Sequence, residues 1–160
     1  MTDWPLLSLT VWLPILGGLW VLFAGARVPA QAARNDALIV ALLTFLFSLA
    51  LYAGFDPATA EMQFVEQRPW IPAFDIRYYL GIDGLSLPLI LLTTLVTVLV
   101  VIAAWQSVND RIHQYLAAFL ILEGLMVGVF AALDAILFYV FFEAMLVPMF
   151  LIIGIWGGPR

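Results

Sequence analysis

The chain has no cysteine and no lysine, a single histidine, and few charges of either sign among its 160 residues. Without cysteine there is no disulfide framework, no thiolate metal site, no cysteine-ligated iron–sulfur cluster and no cysteine nucleophile within these residues. All six basic residues are arginines, and no basic face for nucleic acid is present. Neither is a phosphate loop, a dinucleotide fingerprint or a catalytic triad. What the chain does have is apolar surface. Hydrophobic residues make up 65% and charged residues 11%, against roughly a quarter charged in a soluble domain, so the solvent for most of this chain is lipid.

A membrane-spanning helix needs about 20 mostly apolar residues. Five stretches qualify: residues 4–26, 37–54, 84–105, 112–133 and 135–156. The composition and these stretches predict an all-α polytopic membrane protein, residues 1–160 forming a single membrane unit. The first stretch resembles a signal peptide in its apolar run of residues 6–23 and in its Ala24-Gly25-Ala26 end, but its start holds Asp3 instead of a positive charge and the run is long enough to span. It is expected to remain as a helix. Residues 55–83 form the one long loop, where Phe74-Asp75-Ile76-Arg77-Tyr78 alternates apolar and polar and predicts a short strand, as in a hairpin lying on the membrane face. Asp83 is placed to cap the helix that follows it.

Arginines set the expected orientation. Arg27, Arg34, Arg111 and Arg160 fall on one side of an alternating path, whereas the long loop carries Arg68 and Arg77 among five acids. The positive-inside rule then puts the N-terminus outside and Arg160 on the cytoplasmic or matrix side.

Two acids lie inside the apolar stretches, Glu123 and Glu143. A charge at mid-membrane costs roughly 2.5 to 3.5 kcal/mol on insertion scales. Such a residue therefore pairs, lines a wet cavity or carries a proton. The turn near Asp134 is tight enough to make the last two helices an antiparallel hairpin. Glu123 lies eleven residues before it and Glu143 nine after, depths of about 16 and 13 Å at 1.5 Å per residue. If both face one cavity, ionising one disfavours ionising the other, and the two become a proton-holding pair. The alternative is that one is a structural hydrogen-bond partner; for Glu123, Gly124 and Gly128 equally mark a close helix contact. Pro148 cannot donate to the carbonyl of Ala144, so it is expected to break or bend the last helix one turn from Glu143 and open it to water, although neighbours in membrane helices commonly satisfy such a carbonyl.

Other residues carry less. His113, beside Asp110 and Arg111, reads as a solvated loop histidine. Pro14, Gly17 and Gly18 read as packing features of the first helix, and Trp4, Trp20, Trp70, Trp105 and Trp156 as interfacial anchors.

Three segments carry a family resemblance: LGIDGLSL (80–87), LILEGLMVGVFAALD (120–134) and, most specifically, FYVFFEAMLVPMFLIIGIWGG (138–158). The chain resembles the antiporter-like membrane subunits called M, or chain 4, of proton-pumping NADH:quinone oxidoreductase (respiratory complex I), along essentially its whole length. The resemblance implies the N-terminal portion of a subunit of about fourteen helices. It implies that Glu143 is an essential proton-pathway residue, that Glu123 is a further buried acid, and that lysines on later helices face the glutamate. It implies that NADH, FMN, iron–sulfur clusters and quinone are bound by other subunits, with no cofactor or metal in this chain. The implied partners are other membrane-arm subunits, including neighbouring antiporter-like ones, and the lipid bilayer of an energy-coupling membrane (bacterial or mitochondrial inner). A subunit of a multisubunit cation/proton antiporter, or of a membrane-bound hydrogenase, shares the buried glutamate, and a structural membrane scaffold is the remaining alternative.

Overall fold

A computed structural model describes residues 5–24, 27, 29–58, 61–74, 76–107 and 111–156. Five helices follow one another, α1 (Leu6–Ala24), α2 (Ala30–Ala53), α3 (Ser86–Ser107), α4 (Ile112–Ala131) and α5 (Ala135–Trp156). Between α2 and α3 lies a two-stranded antiparallel hairpin of β1 (Gln63–Ile71) and β2 (Ile76–Ile82), joined through a 3₁₀ turn at Pro72–Phe74. All five helices are long and apolar enough to cross a membrane. Helices are the expected solution there, because hydrocarbon offers nothing to bond a backbone amide and each helix satisfies its own.

The structure corrects several expected boundaries. Helix α2 begins at Ala30 instead of residue 37, because the chain coils from Pro29, whose carbonyl accepts from Ala32 and Ala33 at 3.0 and 3.2 Å, and carries Arg34 and Asp36 on a turn beyond the apolar run. Helix α3 starts at Ser86, two residues late, and α4 ends at Ala131. The ends expected for α1 at residues 4, 25 and 26 lie outside the described residues. The strand expected at 74–78 is displaced: Pro72–Phe74 is a turn and the strand proper is Ile76–Ile82. Its partner β1 tolerates Pro69 because the register slips at that point, between Pro69 and Ile71. A second irregularity, at Gln63–Glu66, coincides with the positive φ of Phe64. His113 is the second residue of α4 and half-buried, not a solvated loop residue.

Capping fixes the helix ends at the hairpin face. Asp83 accepts from the amides of Leu85 and Ser86 at 3.1 and 2.9 Å, as expected. Those bonds, the one from Ser86 foremost, hold its carboxyl below the usual aspartate value. Asp134 does the same for α5, accepting from Ile136 and Leu137. Helix α1 is capped from a distance: Glu66 of β1 accepts from the Ser8 amide at 3.0 Å and from the Ser8 hydroxyl. The Tyr78 hydroxyl of β2 lies 2.6 Å from the same Ser8 oxygen and accepts from the Trp12 indole at 2.9 Å. Burial pushes the Tyr78 phenol up despite these bonds. The hairpin is thereby tied to α1, and through Leu133 N–H to the Tyr79 carbonyl (2.8 Å) it is tied to the α4–α5 turn as well.

Helix α4 is the hub. On one face Gly124 lets it approach α1 so closely that a Cβ would strike the Val11 carbonyl and the Ile15 side chain. One turn along and only about 40° round, Gly128 receives the Phe141 ring of α5, whose atoms a Cβ would meet at 2.7 to 2.8 Å. Pro14, Gly17 and Gly18 of α1 are packing features, as expected: Pro14 is buried, Gly17 faces Val40 of α2 and Gly18 faces Ile121 of α4. The hydroxyls buried in the bundle, such as Thr10 and Thr44, bond to carbonyls of their own helices, and Ser48 of α2 meets Thr94 of α3 at 2.8 Å.

Overpacking a close contact costs about 1 to 3 kcal/mol, more where the obstacle is backbone than where it is a side chain that can turn. Gly124→Ala is therefore expected to lower the thermal unfolding midpoint of the detergent-solubilised protein, and to do so more than Gly128→Ala. Equal midpoints for the two variants would contradict the hub packing.

Candidate functional site

The α4–α5 hairpin places both membrane acids at one level. Glu123 is eight residues before the end of α4 at Ala131, and Glu143 eight after the start of α5 at Ala135, so each lies about 12 Å from the same face of the bundle. The expected equality of depth therefore holds.

The two carboxyls do not meet, however, and the reason is angular. Phe141 is the α5 residue that enters the Gly128 notch of α4. Glu143 stands two residues on, a turn of about 200°, and so points away from α4. Glu123 stands five residues before Gly128, about 140° round α4 from the face that receives Phe141. Equal depth is combined with opposed direction, and the hairpin carries one acid on each side.

The surroundings of the two acids differ accordingly. Glu123 is 1% exposed, and among the described residues neither of its carboxylate oxygens has a hydrogen-bond partner. It lines a cavity of about 250 Å³ between α3 and α4, with Thr93, Thr97, Phe119, Met126 and Phe130 among its walls and no residue of α5. Glu143 is exposed on α5, among the exposed Tyr139, Phe142 and Val147. Of the five spans α5 is the least covered by the rest of the fold.

Pro148 does not break its helix: α5 runs continuously from Ala135 to Trp156 with the proline inside it. A proline removes one bond of the ladder, and the bonds on either side suffice to carry the helix on. Nor does it face Glu143. Pro148 is buried, five residues and about 140° further round, in a separate cleft of about 380 Å³ walled by Leu22 of α1, Ala117, Ala118 and Ile121 of α4, and Val147 and Leu151 of α5. The carbonyl it frees, that of Ala144, is next in sequence to the acid, but the proline ring itself looks into the bundle.

Two functional candidates went unread in the sequence, Thr93 and Thr97. Four residues apart on α3, they share the wall of the Glu123 cavity. By rise alone they stand about 10 and 16 Å from the bundle face where α3 begins, bracketing the depth of Glu123. The signal available was a threonine pair at helical spacing inside an otherwise apolar span.

Five apolar spans with an unpartnered acid sealed between two of them and a second acid at the same depth define a polytopic membrane protein with ionisable groups in its spans, an arrangement associated with ion and proton paths. Residues 34–133 match the family described as NADH-ubiquinone oxidoreductase chain 4, amino terminus. The chain is 52% identical over 159 residues to NADH-quinone oxidoreductase subunit M of Rhodobacter capsulatus, covering 97% of this chain and 30% of that protein. It is 45% identical over 148 residues to NADH-ubiquinone oxidoreductase chain 4 of Arabidopsis thaliana, covering 92% of this chain and 30% of that one. Among solved structures it is similar to a chain of respiratory complex I from Thermus thermophilus with bound NADH, with a TM-score of 0.79 and 32% identity over 96% of this chain and 30% of that chain. The chain belongs to the family of NADH-quinone oxidoreductase subunit M and NADH-ubiquinone oxidoreductase chain 4, and it spans 30% of the length of these two relatives.

A carboxyl that fixed helix packing would have bonds to lose, whereas Glu123 has none to protein. Replacing a buried polar group by an apolar one of similar shape is then close to neutral or stabilising. Glu123→Met is expected to assemble normally, with an unfolding midpoint equal to or above that of the parent; a clearly lower midpoint would assign Glu123 a structural role.

Proposed function

We propose that the chain is part of a membrane-arm subunit of NADH:quinone oxidoreductase and takes part in proton translocation coupled to NADH oxidation and quinone reduction, with Glu143 and Glu123 as proton-carrying residues. The observation that supports this most directly is the disposition of the two acids, at one depth near mid-membrane and on opposite flanks of one helix hairpin. One is enclosed without a partner. The other is displayed on the least covered helix, where a basic group on a further helix has room to approach it. The family membership favours an oxidoreductase subunit over a cation/proton antiporter or hydrogenase subunit, and the lack of protein partners for Glu123 disfavours a scaffold.

In this reading Glu143 alternates between pairing with a cationic side chain, a lysine in the resemblance drawn above, and holding a proton that the next event expels. The redox chemistry takes place on other subunits, which carry the FMN, iron–sulfur clusters and quinone, and its influence arrives as a change of charge along buried ionisable groups. Moving one charge against the membrane potential requires about 2.3 kcal/mol per 100 mV, so the coupling must shift the energy of the site by at least that much. The chain lies in an energy-coupling membrane beside neighbouring antiporter-like subunits, its N-terminus and hairpin outside and the bundle end that carries Arg27, Arg34 and Arg111 inside.

Glu143→Gln keeps the size and hydrogen-bonding capacity of the side chain but cannot hold the proton. It is expected to reduce proton pumping and coupled quinone reduction at least tenfold in assembled complex, with subunit content unchanged. Glu143→Asp should retain part of the activity. Proton uptake by inverted vesicles during NADH oxidation measures both, and normal pumping by Glu143→Gln would sink the assignment.

A further inference from the structure

The cavity beside Glu123 has a polar side that its carboxyl does not reach. Thr93 donates its hydroxyl hydrogen to the Leu89 carbonyl at 2.8 Å, and Thr97 donates to the Thr93 carbonyl at 2.9 Å. With their hydrogens committed to the helix, both hydroxyl oxygens keep lone pairs and can act toward the cavity only as acceptors. Both threonines are buried, at 8% and 6% exposed, and both line the cavity together with Glu123. Neither bonds the carboxyl directly, because both of its oxygens are without protein partners. Two acceptors share the lining of this space with a carboxyl, and no hydrogen bond among the described residues joins them.

A group that joins them must donate to the threonines and reach the carboxyl at the same time. Water does this, and its usual sites offer two to four polar partners. The adjoining space of about 250 Å³, half open at the bundle surface, takes waters of about 30 Å³ each, and the carboxyl oxygens, which no water reaches as the side chain stands, come to it by a change of rotamer. The lone pairs also give the chain a direction: the water donates to Thr93 or Thr97 and so presents its own oxygen to the hydrogen of a protonated Glu123.

We propose that the α3–α4 cavity binds water between the Glu123 carboxyl and the hydroxyls of Thr93 and Thr97, which makes the two threonines positioning residues for the Glu123 proton. The inference rests on the reading of Glu123 as a proton carrier, and it adds that this proton is approached from the α3 side of the hairpin, away from α5 and Glu143. A carboxyl–water–hydroxyl chain satisfies every buried polar atom of the cavity without any charged partner. The burial of an acid between two apolar helices then has an explanation.

The test is infrared difference spectroscopy on the assembled complex in lipid vesicles. The carboxyl C=O stretch that disappears in Glu123→Gln identifies the group. Thr93→Val and Thr97→Val combined keep the side-chain shape and remove both acceptors; the serine double variant restores them. The expected result is a water O–H band that shifts in H₂¹⁸O and is lost in both Glu123→Gln and the valine double variant. The Glu123 C=O stretch should also move to higher wavenumber in the valine variant and remain near its parental position in the serine variant. An unchanged C=O stretch in the valine variant would overturn the proposal, as would the lack of any ¹⁸O-sensitive band in the parent, which would mean that apolar chains fill the cavity. A C=O stretch that responds to replacing sodium by choline but not to the threonine changes would overturn it in favour of a cation. These bands are read without reference to pumping. Normal pumping by Glu123→Gln would remove its proton-carrying role and leave the water site standing, whereas impaired pumping with unresponsive bands would do the reverse.

Discussion

Hydrocarbon gives a polar group nothing to bond, and most of this structure is a set of answers to that constraint. Backbone amides are answered by helices. Buried hydroxyls such as those of Thr10, Thr44 and Thr93 are answered by carbonyls one turn back, and the helix ends at the hairpin face are answered by Asp83, Asp134 and, from another element altogether, Glu66. Against this background of satisfied groups the Glu123 carboxyl stands out for having no protein partner while being sealed from outside. Leaving a buried polar group unmet costs about 1 to 3 kcal/mol, and more for a charged one.

Depth and direction were unequally legible in the sequence. Five spans, the long loop with a strand in it, the Asp83 cap and the common level of Glu123 and Glu143 could all be counted from residue positions, because the rise of a helix is the same in any surroundings. The heading of each carboxyl could not be counted that way. It depends on how α4 and α5 are rotated against one another, and that rotation is set by a ring entering a notch, Phe141 at Gly128. The same distinction explains the boundaries that moved. Helix α2 extends past its apolar stretch because hydrogen bonding from Pro29 decides where it starts, not hydropathy, and β1 was hidden because its residues, QFVEQRPWI, show no clean alternation and contain a proline.

Pro148 illustrates how the chemistry of a motif can be legible in the sequence when the direction it faces is not. It does remove an amide from the ladder near Glu143, yet α5 continues through it and the ring lies in the cleft against α1 and α4. Its geometric effect therefore falls on how α5 leans on the hub, while Glu143 keeps to the opposite flank. The threonine pair shows the converse. Thr93 and Thr97 look like the ordinary hydroxyl residues of a membrane helix, and they acquire meaning only because α3 turns them toward the cavity of an acid some 30 residues away in sequence.

The position of α4 has a consequence for how the protein is made. Helices leave the ribosome in order, but α1 finds its closest neighbour in the fourth, where the Gly124 notch receives Val11 and Ile15. About a hundred residues separate them, which at roughly 5 to 20 residues per second is a delay on the order of 5 to 20 s. For that interval α1 must stay in the membrane beside α2 with the Val11 and Ile15 side of its surface unmatched. The contact between α1 and α4 therefore forms only after three further helices have been made.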